Sequence, residues 1–555
     1  MTRRTDAAWL AAAGLTLAAT LFVAVAAPAE RGATSEPSAA QGATAEPPKP
    51  APAKAPATPA ATESRGVVMF GGDASRNMVS TERGLPSKWD VETGLNVRWS
   101  QGLGSQSYAG PIVYGGKVFA GTNNERTLDK RLTGDRGNLM VFRESDGEFL
   151  WQSAHPKLAS GRVNDWPMQG VCSTPAVEGD RVYYVSNRAE LICADTEGFH
   201  DGENDGPYTD EHEMQPGPAP GPNQTPPPPK KVVKTSEIDE DIVWKYDMMG
   251  ELDVFPHNLA AGSPLIVGDV VYTVTGNGVD EGHINIPSPD SPSFIAVDKK
   301  TGKLLWENSQ PGTQILHGSW SNPSYGVIKG VPMVFFPGGN GWLYAFEPKT
   351  GELLWRFDMN PKGAVYALGG RGTKSYVIAM PVVWEDKVYI AVGQDPEHGE
   401  GIGSLSAIDA SQRGDISETA VLWRRSGEDF HRTLSTVAIA DGLLYASDLS
   451  GFLYCLDART GELFWTYDAF AAIWGSPFVA DGKVYLGDED GDVAVLKHGK
   501  KLELIAENNM GSAVYTTPVA HDGTLFIVTR TKLFALKEGI GAKPKPAPEA
   551  PRPGA

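Results

Sequence analysis

The sequence predicts an all-β fold, an eight-bladed propeller of four-stranded blades, and three observations carry that prediction. An eleven-residue unit recurs along the chain as the last eleven residues of FIAVDKKTGKLLW (294–306), LYAFEPKTGELLW (343–355), LYCLDARTGELFW (453–465) and, more loosely, LMVFRESDGEFLW (139–151). In each, a polar third residue precedes a tryptophan by eight positions, with Thr-Gly or Asp-Gly turn chemistry between two short apolar runs. Each unit is preceded by a second phrase, a small residue (usually with Pro) leading into a strand, a turn and another strand. That phrase starts at Gly110, Ser173, Gly262, Asn322, Met380, Ser435, Gly475 and Thr516, which gives eight hairpins. Composition agrees, since 63 Gly, 42 Pro and 14 Trp suit many short strands joined by turns.

Three blades depart from the pattern. In the second, Asp195 stands 49 residues before Trp244, so a long insertion opens at the turn. In the fifth, Asp409 stands 14 before Trp423. In the seventh, the eighth position after Lys497 is Ile505, and the tryptophan is missing. The eighth blade ends at LFALK (533–537) without a fourth strand, while NVRW (96–99) lies upstream with no blade of its own. The strand of Trp99 is therefore expected to close the eighth blade and leave no open edge. Seven tryptophans (Trp99, Trp151, Trp244, Trp306, Trp355, Trp423, Trp465) fall in the docking slot, where an indole packs between blades and its N–H meets a carbonyl. Cys193 and Cys455 fill a small buried slot that is Ala in most other units, and Cys172 is expected to be buried too.

The flanks carry address rather than fold. Arg3-Arg4 followed by uncharged residues 7–27 reads as an export signal within 1–29, cleaved or retained as a membrane anchor. Residues 30–64 form an Ala/Pro-rich linker, 65–540 the propeller, and 541–555 a tail. The Pro-rich insertion runs over about 198–240. Periplasmic or cell-surface localisation follows. The net charge of −19 argues against sequence-independent nucleic-acid binding.

On these repeats the chain resembles the PQQ-type β-propellers, a group that includes the quinoprotein alcohol dehydrogenases and the BamB-like scaffolds of outer-membrane assembly. The resemblance implies a cofactor or partner over the central channel. On the face that carries the connections into the inner strands, the candidates are Trp166, Gln169, His257, Asn258, His317, Trp320, Lys374, His431, Arg432 and Trp474, with Tyr108, Tyr376 and Tyr515 beside them. Long loops on that face add Asp280, Glu281 and His283. Two loops are candidate metal sites: Asp395, Glu397, His398 and Glu400, and Asp201, Glu203 and Asp205, whose oxygens suit a divalent cation.

The quinoprotein reading implies PQQ and Ca²⁺, with alcohol or sugar as substrate. The chain has no adjacent cysteines of the kind those dehydrogenases carry, no Cys-x-x-Cys-His for covalent haem, and no residue whose catalytic role is fixed by a motif. The favoured expectation is a non-catalytic binding or scaffold module, BamB-like, that takes a protein partner or small ligand on the rim. A third reading is glycan binding, with Trp166, Trp320 and Trp474 as stacking platforms.

Overall fold

A computed structural model describes residues 66–126, 128–211, 234–394, 398 and 401–542. The expected signal segment, the linker, most of the Pro-rich insertion, Asp395, Glu397, Glu400 and nearly all of the tail lie outside these residues.

Eight antiparallel sheets form the ring, each with four blade strands. The first comprises Ile112–Tyr114, Lys117–Asn123, Arg136–Arg143 and Phe149–Gln152, and the later blades repeat it. The eighth is Val519–His521, Thr524–Val528 and Lys532–Lys537, with Val97–Gly102 paired on its outer edge, so the expected closure is present. The six-residue insertion of the fifth blade crosses over instead of hanging free. Its Gly414–Asp415 pairs in parallel with Trp355 and Arg356 of the fourth blade and adds a fifth strand there.

The docking motif has a concrete geometry. Trp99, Trp151, Trp244, Trp306, Trp423 and Trp465 each donate from Nε1 to a turn carbonyl of the next blade, at 2.9–3.1 Å. The turn glycine lies flat on the indole. Gly351 has φ 69° and a Cβ there would meet Trp306 at 2.7 Å, so both conformation and space require glycine. Trp355 is the exception, since its buried Nε1 finds no acceptor. The next blade's turn is the one carrying the insertion. In the seventh blade the slot opposite Val495 is occupied by Ala506, not Ile505. The turn is one residue longer there: Lys497 N donates to Glu503 O, whereas Asp298 N donates to Lys303 O in a standard unit. Trp89, from the segment before the ring, is buried in the same cluster and donates to Met510 Sδ.

The small residue of the second phrase also has a structural reason. The backbone N–H of Gly110 donates to Thr174 Oγ1, Thr174 to Ser263 Oγ, and Ser263 to Asn322 Oδ1. Met380 donates likewise to Thr436, Thr436 to Ser476, and Ser476 to Thr517. A belt of blade-to-blade bonds thus runs round the inner wall, interrupted where Met380 and Gly110 offer no side-chain oxygen.

Residues 66–86 have no periodicity in sequence, and in the structure they form an arm that bonds to every blade. Val67 N donates to Val113 O, and Val68, Ala74, Ser75 and Met78 accept from Val177, Tyr325, Val383 and Val479. Asn77 Oδ1 accepts from Ile439 N, and Glu82 Oε2 from Gly523 N. Arg76 is fully buried and donates to the carbonyls of Phe70, Ser263, Pro264 and Pro323. The inner strands, whose edges would otherwise be unpaired, are capped by this one segment.

Candidate functional site

In each blade the turn between the first two strands and the turn before the docking tryptophan share one face. The longer loops and the connections between blades share the other. The arm lies along the inner strands and their turns and puts Phe70 in the channel. Above it a cavity of about 350 Å³ is walled by Tyr108, Trp320, Trp474 and Tyr515. Tyr108, Trp474 and Tyr515 form one aromatic wall, with ring centroids 4.5–6.1 Å apart. Asn258, Thr174, Thr436, Ser476 and Thr517 supply hydroxyl and amide groups, and among the described residues no side chain lining the cavity is charged. Cys172 is not buried as expected, because the chain before the second hairpin forms part of this wall. It is only partly buried and lines the cavity, and the desolvation it does have pushes the thiol up to about 12.

Of the expected rim residues, Asn258, Trp320 and Trp474 line the cavity. Five of the others are held by local partners. Trp166 lies under the Arg162 guanidinium at 4.6 Å. Lys374 pairs with Asp358 at 2.9 Å, toward a separate cleft with Trp342. His431 is held by Asp448 at 3.1 Å, and Arg432 donates to His398 O. The Gln169 side chain hydrogen-bonds the Tyr108 hydroxyl, which itself donates to Gln106 Oε1 at 3.1 Å.

The second grouping draws together three residues that the sequence places on one face without pairing them. His257 and His317, on connections between blades, meet His283 from the long loop of the third blade. His283 Nε2 lies 3.0 Å from His257 Nε2 and 2.9 Å from His317 Nε2. His257 Nδ1 donates to Val279 O at 2.8 Å, so in the neutral ring Nε2 carries the lone pair. His317 Nδ1 is 3.2 Å from the Tyr376 hydroxyl. Burial and the neighbouring charges of His317, His398 and Arg371 hold His283 below the usual imidazole value. Among the described residues this is the one group of three or more His, Cys, Asp or Glu whose ligand atoms lie within 4.8 Å of one another.

Of the two candidate metal loops, the first contributes His398, whose ring centroid is 5.0 Å from that of His317. Its carboxylates lie outside the described residues. The second does not converge. Asp201 caps Glu203 N, Asp205 N donates to Asp241, and the Asp205 carboxylate pairs with Arg181. The available signal for the histidines was topological: two successive connections and the loop between them are neighbours on one face.

The donor set can be tested against the cofactor that the resemblance implies. Ca²⁺ needs several oxygen ligands, including carboxylates, and a tricarboxylate such as PQQ needs cationic partners. The cavity wall offers neither. Uncharged aromatic walls suit stacking on a flat, largely apolar group instead.

Comparison with known proteins places the repeats. The family model described as outer membrane protein assembly factor BamB matches residues 127–201, 229–414 and 339–538. An outer membrane protein assembly factor BamB from Yersinia pestis is 23% identical over 303 residues, 54% of this chain and 67% of that protein. The dehydrogenase subunit of the quinone alcohol dehydrogenase of Gluconobacter oxydans is 30% identical over 177 residues, 31% of this chain and 21% of that one. Among solved structures, the quinohemoprotein alcohol dehydrogenase of Comamonas testosteroni superposes with TM-score 0.57 at 12% identity, covering 87% of this chain and 82% of that one. This last likeness is one of fold. With most of the repeat region matched by one family model, the chain belongs to the outer membrane protein assembly factor BamB family.

Proposed function

We propose that this propeller is a non-catalytic binding module whose working surface is the face bearing the aromatic cavity, and that it docks a protein partner there. One observation carries the reading. Among the described residues Phe470, Ile284, Val365 and Ile402 are the most exposed large apolar side chains, at 89%, 64%, 61% and 56%, and all four lie in loops or at a strand start on that face. Exposed apolar groups on the face that holds a largely apolar cavity are what a docking surface presents, with the cavity receiving an anchor side chain. Family membership supports a role in outer-membrane assembly, and the expected N-terminal export signal supports a location outside the cytoplasm.

The test is site-specific photo-crosslinking of the whole chain in its own host. A photoreactive residue at Phe470 should give one discrete adduct, weakened by Trp474→Ala, and the same residue at Leu305 on a blade's outer edge should give none. Equal labelling at both positions, or none at Phe470, would overturn the reading. Titration with PQQ and Ca²⁺ separates the dehydrogenase alternative. Saturable quenching of tryptophan fluorescence near one equivalent would favour an oxidoreductase despite the uncharged wall, and no quenching is expected.

A further inference from the structure

We infer that His257, His283 and His317 form a site for a divalent transition-metal ion of the zinc class, bound through three imidazole Nε2 atoms. The inference stands apart from the docking reading and concerns no established activity.

The spacing is the first argument. Three imidazole nitrogens around a tetrahedral Zn²⁺ at about 2.0–2.1 Å stand roughly 3.3 Å from one another. The two Nε2 pairs here are at 3.0 and 2.9 Å, so a small outward relaxation would admit the ion.

The second argument is electrostatic. His283 Nε2 faces two other ring nitrogens, and a proton on it can point at only one of them. With the His257 Nδ1 proton committed to Val279 O, the neutral ring presents a lone pair inward. A cation at the centre satisfies all three lone pairs at once.

The supporting shell is the third. Metal-bound histidines commonly have the second ring nitrogen fixed by a carbonyl or another polar group, and here Val279 O and the Tyr376 hydroxyl occupy those places. The backbone holding the rings is tied together as well. Val279 N donates to His317 O, Gly278 N to Phe255 O, and His257 N to Gly276 O. Asp280 caps the loop by accepting from Ile284 N and Asn285 N, which positions the intervening His283. His257 and His317 are each 1% exposed, and Trp320 packs on both rings, shielding the site on the side of the cavity.

An all-nitrogen donor set selects the metal class. Ca²⁺ and Mg²⁺ require oxygen ligands, whereas imidazole suits Zn²⁺ and its neighbours. Bound there, the ion would pin two inter-blade connections to the long loop of the third blade, with one coordination position left for water.

The test uses the whole chain, stripped with a chelator and dialysed. Calorimetric titration with Zn²⁺ should show one tight equivalent, and Co²⁺ should give the visible absorption of a tetrahedral nitrogen-rich site. Ca²⁺ should give no heat at that stoichiometry. His283→Asn is the chosen variant, because His283 has φ 56° and asparagine tolerates that conformation. It should weaken Zn²⁺ binding at least 100-fold and abolish the Co²⁺ bands while the circular dichroism spectrum is unchanged. Absence of a one-equivalent site in the parent would overturn the inference. So would Zn²⁺ binding by His283→Asn at parental strength.

Discussion

Trp423→Phe and Trp355→Phe should differ sharply in cost although both indoles are buried in the same slot of adjacent blades. Trp423 is 8% exposed and its Nε1 donates to Ala458 O at 2.9 Å. Replacing indole by phenyl there loses packing worth about 1–2 kcal/mol and a hydrogen bond worth about 1 kcal/mol net. The expected cost is about 2–3 kcal/mol. Trp355 is fully buried but its Nε1 has no acceptor, so its N–H was desolvated without compensation. Removing that group returns about 1–3 kcal/mol, which offsets the same packing loss and leaves a change near zero. At roughly 2 cal/mol/K per residue, a ring of this size has an unfolding entropy on the order of 1 kcal/mol/K, so Tm should fall about 2–3 °C for Trp423→Phe and less than about 1 °C for Trp355→Phe. Differential scanning calorimetry of the two variants beside the parent reads this directly. If Trp355→Phe lowers Tm as much as Trp423→Phe does, the pairing of indole N–H with the next turn is not what distinguishes the slots.

Arg76→Met should destabilise the arm by about 3–5 kcal/mol, because four buried carbonyl contacts lose a charged donor at once. Limited proteolysis should then cut within 66–86 well before the blades; a resistant variant would show that the backbone bonds alone hold the arm. A pH effect is expected from Glu240, which is buried, accepts from the Tyr184 hydroxyl and is raised to about 8, chiefly by desolvation. A carboxyl raised on folding contributes stability that is full below its unfolded pKa and lost as pH climbs to the folded value. Its neighbour His155 is lowered to about 3 by burial, so its contribution is full above about 6.5 and lost as pH falls. Between pH 6.5 and 8 the Glu240 slope is therefore not offset by His155. Tm should fall across that window in the parent and less steeply in Glu240→Gln; identical slopes would remove Glu240 as the cause.

The ring was legible in the sequence because its rules are local. The docking tryptophan, the turn glycine and the small residue before each inner strand recur at fixed spacing, and each has one job that the repeat imposes. The missing tryptophan of the seventh blade was also legible, though not the identity of its replacement, since a turn one residue longer shifts the slot from Ile505 to Ala506. The arm was not legible. Its residues each meet a different blade, so no period connects them, and Arg76 in a stretch of loop sequence gives no sign of full burial. The candidate site was half legible. Sorting loops by face brought His257, His317, Trp320 and Trp474 together, but nothing in spacing could separate them from Lys374 or His431, which contacts with Asp358 and Asp448 hold elsewhere. His283 stood among the loop residues without a partner until the backbone placed it between the other two.

The closure of the ring by Val97–Gly102 sets an order on the life of the chain. Synthesis delivers this strand and the arm first, yet their hydrogen-bonding partners include the last blade to be made. Until then the arm has no complete channel to line and the closing strand has no edge to join. Blades one to seven can pair internally from local contacts, and the step that completes the molecule joins segments more than four hundred residues apart in the chain, a non-local pairing of the kind that folds slowly. The nascent protein thus carries an unpaired closing strand for as long as translation lasts, a feature prone to join a neighbouring copy. The same closure that abolishes edges in the finished ring makes its unfinished form dependent on being kept apart from others.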